Sequence, residues 1–190
     1  MNPIHRPNKP HIVTLVGSLR AASLNLLLAR SIHTLLADRF TFSTANIGGL
    51  PHYNEDDEGN PPGQVGEFRE MVAAADGFLF VTPEYNRSLP GVLKNAIDQA
   101  SRPKGTNAWK GKPAGIIGAS PGALGTCMAQ QHLRNVLSPL DVHVMGLPEA
   151  YVQVPPGSIL PTGEIPDERL RPFITTWSQA FAAWVDRMKP

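Results

Sequence analysis

The sequence predicts an α/β fold: one parallel β-sheet with helices packed on both faces. Three observations carry this reading. Short apolar runs alternate with stretches of helical spacing five times along the chain. The run GFLFVT at 77–82 is almost continuously apolar, the pattern of a strand covered on both faces. A length of 190 residues with 42% hydrophobic content, free of internal repeats and linkers, suffices for one domain with a real core.

Residues 1–10 carry Pro3, Pro7 and Pro10 and read as a short flexible lead to a single domain. The β-branched run HIVTLV at 11–16 predicts a buried strand that stops at Gly17. Leu24, Leu27, Leu28, Ile32, Leu35 and Leu36 then recur at helical spacing, with Ser23 placed to cap the helix. FTFSTA at 40–45 reads as the second strand. A Gly- and Pro-rich loop follows over 47–63, including the acidic run Glu55, Asp56, Asp57 and Glu58. Val65, Phe68, Met71, Val72 and Ala75 mark a second helix, and GFLFVT the third strand. Pro90 opens a third helix, as proline does at a first helical position, with Val92, Leu93, Ala96, Ile97 and Ala100 inward. AGIIGA at 114–119 is the fourth strand, 125–137 a helix, and 142–145 a short fifth strand. Leu170, Phe173, Ile174, Trp177, Phe181, Trp184, Val185 and Met188 form one helical stripe that docks on the sheet. Five strands in a short domain suit a flavodoxin-like three-layer sandwich, a five-stranded parallel sheet of order 2-1-3-4-5. In such sheets ligands bind beyond the carboxyl ends of the strands, beside strand one.

Composition narrows the function. Lys and Arg number 17 and Asp and Glu 16, a net charge of +1 that suggests neither a nucleic-acid footprint nor an acidic tail. The single cysteine, Cys127, rules out an internal disulfide and a Cys-based metal site. The histidines at 5, 11, 33, 52, 132 and 143 show no i, i+4 pairing, so no metal site is expected; His11 and His143 are expected at strand beginnings. No apolar run of membrane-spanning length and no signal-peptide core occurs, which predicts a cytoplasmic protein without membrane partners.

Three loops fall where the fold expects a ligand. The first, GSLRAASLN at 17–25, joins a strand to a helix N-terminus, where free N–H groups and the helix dipole favour an anion. Ser18, Ser23 and Asn25 add neutral donors, Arg20 adds a fork suited to phosphate oxygens, and no carboxylate interrupts the stretch. A phosphate monoester fits this loop. It has neither the G-x-G-x-x-G of dinucleotide sites nor the G-x-x-x-x-G-K-[ST] of triphosphate loops. The second loop, TPEYNRSLPG at 82–91, is braced by two prolines and offers a flat aromatic and an amide, suited to the edge of a planar heterocycle. The third, ASPGALG at 119–125, is small enough for main chain to approach a ligand.

The stretches GSLRAASLN, TPEYNRSLPGVLKNAIDQASRP and GKPAGIIGASPGALGT together resemble the NADPH-dependent FMN reductase family, in particular its chromate and quinone reductase branch. The resemblance runs from about His11 to the last helix. It implies non-covalent FMN, NAD(P)H as co-substrate, and a homodimer or homotetramer. By position, Ser18, Arg20, Ser23 and Asn25 would hold the FMN phosphate, with Gly17 and Leu24 in the same block. Pro83, Glu84, Tyr85 and Asn86 would line the isoalloxazine, with Ser88 beside them, and Ser120 with Gly122 would close its other side. Tyr85 packs on the ring or its substrate in this reading, and Glu84 serves the geometry of its loop. Electrons would pass in a two-electron, ping-pong sequence from NAD(P)H to a quinone, an azo compound, a metal oxyanion such as chromate, or free flavin. No side chain need act as nucleophile or dedicated acid.

The chain departs from the family pattern at two places. Gln131 replaces an aromatic in a run that relatives use in tetramer contacts, so dimer and tetramer both stay open. Arg87 stands where an aromatic is frequent and adds charge near the substrate mouth, suited to an NADPH phosphate or an anionic acceptor; Arg102 and Lys94 would add more. Asn95 and Asp98, three apart on one helix face, are placed to fix that helix to its surroundings or to a second subunit. An FMN electron carrier without enzymatic activity is the alternative, though such carriers are typically strongly acidic. A phosphotyrosine phosphatase on a related sheet fails, because its nucleophilic cysteine belongs in the first loop and the only thiol is Cys127.

Overall fold

The computed structural model describes residues 9–155 and 157–188; the proline-rich lead, apart from its last two residues, lies outside the described residues. Strands β1 (His11–Val16), β2 (Thr41–Thr44), β3 (Gly77–Val81), β4 (Pro113–Ser120) and β5 (His143–Val144) pair in the order β2-β1-β3-β4-β5, all parallel. Helices α1 (Leu24–Leu35), α2 (Gly63–Ala74), α3 (Gly91–Ser101), α4 (Cys127–Leu137) and α5 (Leu170–Arg187) complete three layers. His11 and His143 do open their strands. The acidic run forms a short 3-10 turn in the loop before α2.

Alternation along β1 sends side chains to the two faces. Ile12 joins Leu28, Ile32, Leu79, Ile117, Trp177 and Phe181 on the side of α1 and α5. Val13 and Leu15 join Phe78, Phe80, Leu93, Ile97, Trp109 and Leu133 on the other. Gly115 makes the docking of α5 possible: a Cβ there would come within 2.6 Å of the Phe181 ring. Among the described residues, no helix is long and apolar enough to cross a membrane.

The structure amends the expected elements in four places. A sixth strand, β6 (Tyr151–Gln153), pairs parallel with β4 at Gly118, Ala119 and Ser120, covering the edge that β5 leaves bare beyond Ala114. Helix α4 begins at Cys127, because Gly125 has φ of +58° and lies so close to the Tyr151 backbone that a Cβ would sit 2.6 Å from it. Pro90 is extended (ψ 143°) and stands at the cap position of α3. Phe173 leaves the buried stripe of α5 and is 41% exposed, in a cleft beside β6.

His33 on α1 stacks on Phe42 with ring centroids 4.3 Å apart, and its Nε2 lies 2.8 Å from the hydroxyl of buried Thr14. Burial disfavours the imidazolium and holds this group at about 4, below the ordinary 6.5. As pH falls, the unfolded chain takes up the proton first, so the folded state loses stability between pH 6.5 and about 4 and loses nothing from this group above 6.5. For a partly exposed ring the loss is on the order of 1–2 kcal/mol. His33→Gln, which retains a partner for Thr14, is expected to flatten that part of the pH dependence in urea denaturation.

Candidate active site

The carboxyl edge of the sheet brings the three loops together. At the first, Gly17 N–H donates to Val81 O at 2.9 Å, fixing the point where the chain leaves β1. Ser23, 3% exposed, caps α1 by accepting from Leu26 N–H at 3.3 Å, and no acidic residue occupies the first turn. Among the described residues, the backbone N–H groups of Ser18, Leu19, Ala21 and Ala22 and the Arg20 guanidinium have no partner. The positive end of α1 and a free cation therefore face one space.

Asn25 is buried and clamps the first loop to the third. Its Nδ2 donates to Ala119 O, and its Oδ1 accepts from Ala119 N–H, each at 2.9 Å. Both ends of the amide are spent on β4, so toward a phosphate this residue offers backbone only. In the third loop, Gly122 N–H donates to Ser120 Oγ at 3.1 Å, and Gln153 of β6 donates to Pro121 O.

The second loop is held at both ends. Glu84 Oε2 accepts from Ala129 N–H at 3.0 Å, so the only acid in the loop is turned onto the first turn of α4. Tyr85 and Ser88 exchange backbone hydrogen bonds at 3.0 Å in each direction around Asn86 (φ 52°) and Arg87 (φ 62°). Two positive φ angles inside such a pair define a tight two-residue turn in which glycine is preferred at the second position. Arginine there costs about 1 kcal/mol. Ser88 Oγ lies 3.0 Å from His132 Nδ1, tying the turn to α4.

These loops enclose a cleft of about 150 Å³ lined by Ser18, Arg20, Ser23, Leu24, Asn25, Pro83, Glu84, Tyr85, Ala119, Ser120 and Pro121. A second, more apolar cleft of about 350 Å³ lies beside it, sharing Arg20 and Tyr85 and adding Gly17, Leu19, Pro90, Gly91 and Val92. Asn86, Arg87 and Ser88 form the turn that presents Tyr85, which is 48% exposed. Gly122 follows Ser120 at the rim.

Within this chain, Arg102 lies outside both of these clefts. It lines a separate cleft of about 450 Å³ with Lys94, Asp98 and Lys104, and its guanidinium lies 5.7 Å from the centre of the Tyr53 ring. A helix that follows a strand runs back across the sheet, so the 11 residues of α3 carry Arg102 to the opposite edge. Lys94 pairs there with Asp98 at 2.7 Å. Asn95 fixes α3 as expected: it accepts from Tyr53 N–H at 2.8 Å and donates to Pro51 O at 2.9 Å. Gln131 donates to Glu149 and to the Tyr151 hydroxyl at 3.1 and 2.9 Å; burial and the Glu149 carboxylate push that phenol up to about 12. Sequence reasoning missed His132 and the second cleft, since neither carries a local motif.

A doubly wound sheet with an anion cradle at the start of α1 and a rigid aromatic loop beside it is the arrangement of a flavodoxin-like, flavin-binding protein. The profile of the NADPH-dependent FMN reductases matches residues 10–155. A 2-hydroxy-1,4-benzoquinone reductase from a Burkholderia species is 47% identical over 174 residues, covering 92% of this chain and 95% of that protein. An NAD(P)H-dependent FMN reductase from Pseudomonas aeruginosa is 43% identical over 180 residues, covering 94% and 96%. The structure of FerB, a flavoenzyme NAD(P)H:(acceptor) oxidoreductase from Paracoccus denitrificans, superposes with a TM-score of 0.92 at 40% identity, covering 95% of this chain and 100% of FerB. The chain belongs to the NADPH-dependent FMN reductase family, with FMN as cofactor and NAD(P)H as co-substrate.

The cleft fits FMN by its donors. Unpartnered N–H groups, two hydroxyls and a guanidinium gather at one end, and the single carboxylate of the lining is engaged elsewhere. Arg20→Ala is expected to weaken FMN binding about tenfold, the loss of one charge-assisted hydrogen bond, with the far-ultraviolet circular dichroism unchanged. Fluorescence titration of the apoprotein measures it. Asn25→Ala strands a buried N–H and a buried C=O of Ala119 and is expected to cost about 2 kcal/mol of stability, read by denaturant unfolding.

Proposed function

We propose that this protein is a quinone reductase that uses FMN to pass two electrons at a time from NAD(P)H to its acceptor. One observation carries the reading: three loops converge on an open cleft whose anion end holds no free carboxylate and whose other end presents exposed Tyr85. When bound, FMN would supply the redox chemistry, a two-electron exchange between NAD(P)H and the acceptor. The protein supplies binding and orientation. Ser18, Arg20, Ser23 and the N–H groups of the first loop would hold the phosphate. Pro83, Glu84, Tyr85 and Asn86 would line the ring on one side, and Ser120 and Gly122 would close the other. The Asn25 tie sets the spacing between first and third loops, and the Glu84 contact holds the second loop on α4.

The 2-hydroxy-1,4-benzoquinone reductase and FerB relatives support an organic acceptor, and the shared rim residues Arg20 and Tyr85 suit one site visited in turn by donor and acceptor. Exposed Leu19, Leu124 and Met128 beside these loops suit association with a second copy, and we read the protein as a cytoplasmic homodimer or homotetramer.

The test is a visible spectrum of the purified protein. Flavin absorption that bleaches with NADPH under anaerobic conditions and returns on adding quinone is the expected result. Steady-state rates over both substrates are expected to give parallel double-reciprocal lines. Bleached flavin that quinone cannot reoxidise would refute the reading.

A further inference from the structure

We propose that Arg87 is a specificity residue that favours acceptors carrying a negative charge, in particular quinones with an ionised ring hydroxyl. The inference rests on the quinone reductase reading and adds a substrate class to it.

The backbone makes the first point. Arg87 occupies the second position of the tight turn between Tyr85 and Ser88, with φ of 62°, where glycine is at ease and an arginine side chain is strained. A strained residue at the rim of a site is retained where its side chain contributes something a glycine lacks. What the side chain brings here is charge. Among the described residues, the Arg87 guanidinium makes no ion pair or hydrogen bond, and Arg87 is exposed.

The surroundings leave that charge uncancelled. Glu84, the one acid of the loop, has its carboxylate on Ala129 N–H. His132 lies against Ser88, so the neighbouring side chain on α4 is itself basic. The turn also carries Tyr85, which lines both clefts, so the free cation stands two residues from the aromatic that borders the site. A hydroxyquinone is a vinylogous carboxylic acid, ionised at neutral pH, while the corresponding methylquinone is neutral and of similar size. Arg87 lines neither cleft itself, and the field of its unpaired guanidinium, carried on the turn that presents Tyr85, favours the first over the second.

The experiment compares 2-hydroxy-1,4-benzoquinone with 2-methyl-1,4-benzoquinone in the FMN-loaded enzyme, as the ratio of kcat/KM for the ionised over the neutral acceptor. The ratio cancels any change in FMN content, and comparing it between variants cancels the intrinsic reactivity of the two quinones. Arg87→Gln removes the charge and keeps the turn's strain; the ratio is expected to fall about three- to tenfold, mainly through KM. Arg87→Lys is expected to retain the wild-type ratio within about twofold, and added salt is expected to lower the wild-type ratio and leave that of Arg87→Gln nearly constant. An unchanged ratio in Arg87→Gln overturns the proposal. So does an equal fall in Arg87→Lys, which would make the effect one of shape, and so does a change confined to NADPH against NADH, which would assign the cation to the donor. Wild-type enzyme that reduces neither quinone would instead remove the quinone reductase reading itself.

Discussion

The site depends on the paired hydrogen bonds between the Asn25 amide and the backbone of Ala119. Parallel strands deliver their loops to one edge, but loops from β1 and β4 have β3 between them and no shared ladder. A buried side chain must bridge the gap. Asn25 does so from the first turn of α1, satisfying an N–H and a C=O that β4 would otherwise leave open where its ladder with β3 has ended. The anion cradle and the small-residue loop thereby become one rigid body. Gly125 and β6 extend that body, since the close approach of the Gly125 backbone to Tyr151 sets where α4 begins.

Charge in the cleft is arranged by removal as much as by addition. The chain is nearly neutral overall, so no global field draws an anion to this edge. The local bias comes from the dipole of α1, from Arg20, and from turning Glu84 away onto α4. That contact does two things: it stabilises the positive end of a second helix and engages the only carboxylate of the cleft lining. A glutamine there would keep a hydrogen-bond acceptor and lose the charge that meets the α4 dipole.

Most of the architecture was legible because its signals are local. Continuous apolar runs over 77–82 and 114–119 and the leucines of α1 declare strand and helix without tertiary context. The first loop could be read as an anion site because the relevant features, a strand end, a capping serine and an absence of acids, lie in one stretch. Other features were not legible. β6 is three residues long and exists because β4 outlasts β5. The start of α4 is set by a backbone contact from a distant strand, which no capping rule reports. Asn25 read as a phosphate donor from its position in the motif, and only its burial against Ala119 shows that its amide is structural. The sequence places Arg102 after α3 without saying to which edge the helix returns, and within one chain it stands in a separate cleft.

The turn from Tyr85 to Ser88 shows how these levels meet. Its reciprocal hydrogen bonds and two left-handed residues give a rigid bracket, and the His132 contact fastens that bracket to α4. Rigidity matters because a tyrosine at the border of two clefts can orient a flat partner only if its own backbone is immobile. The same geometry restricts what the bracket can carry: glycine at position 87 would relax the backbone and leave the rim neutral, while arginine strains it and leaves a charge exposed. Packing cannot account for that choice, because the Arg87 side chain is exposed and unpaired. Within the described residues nothing claims that charge, which leaves it to a partner that meets this edge from outside the chain.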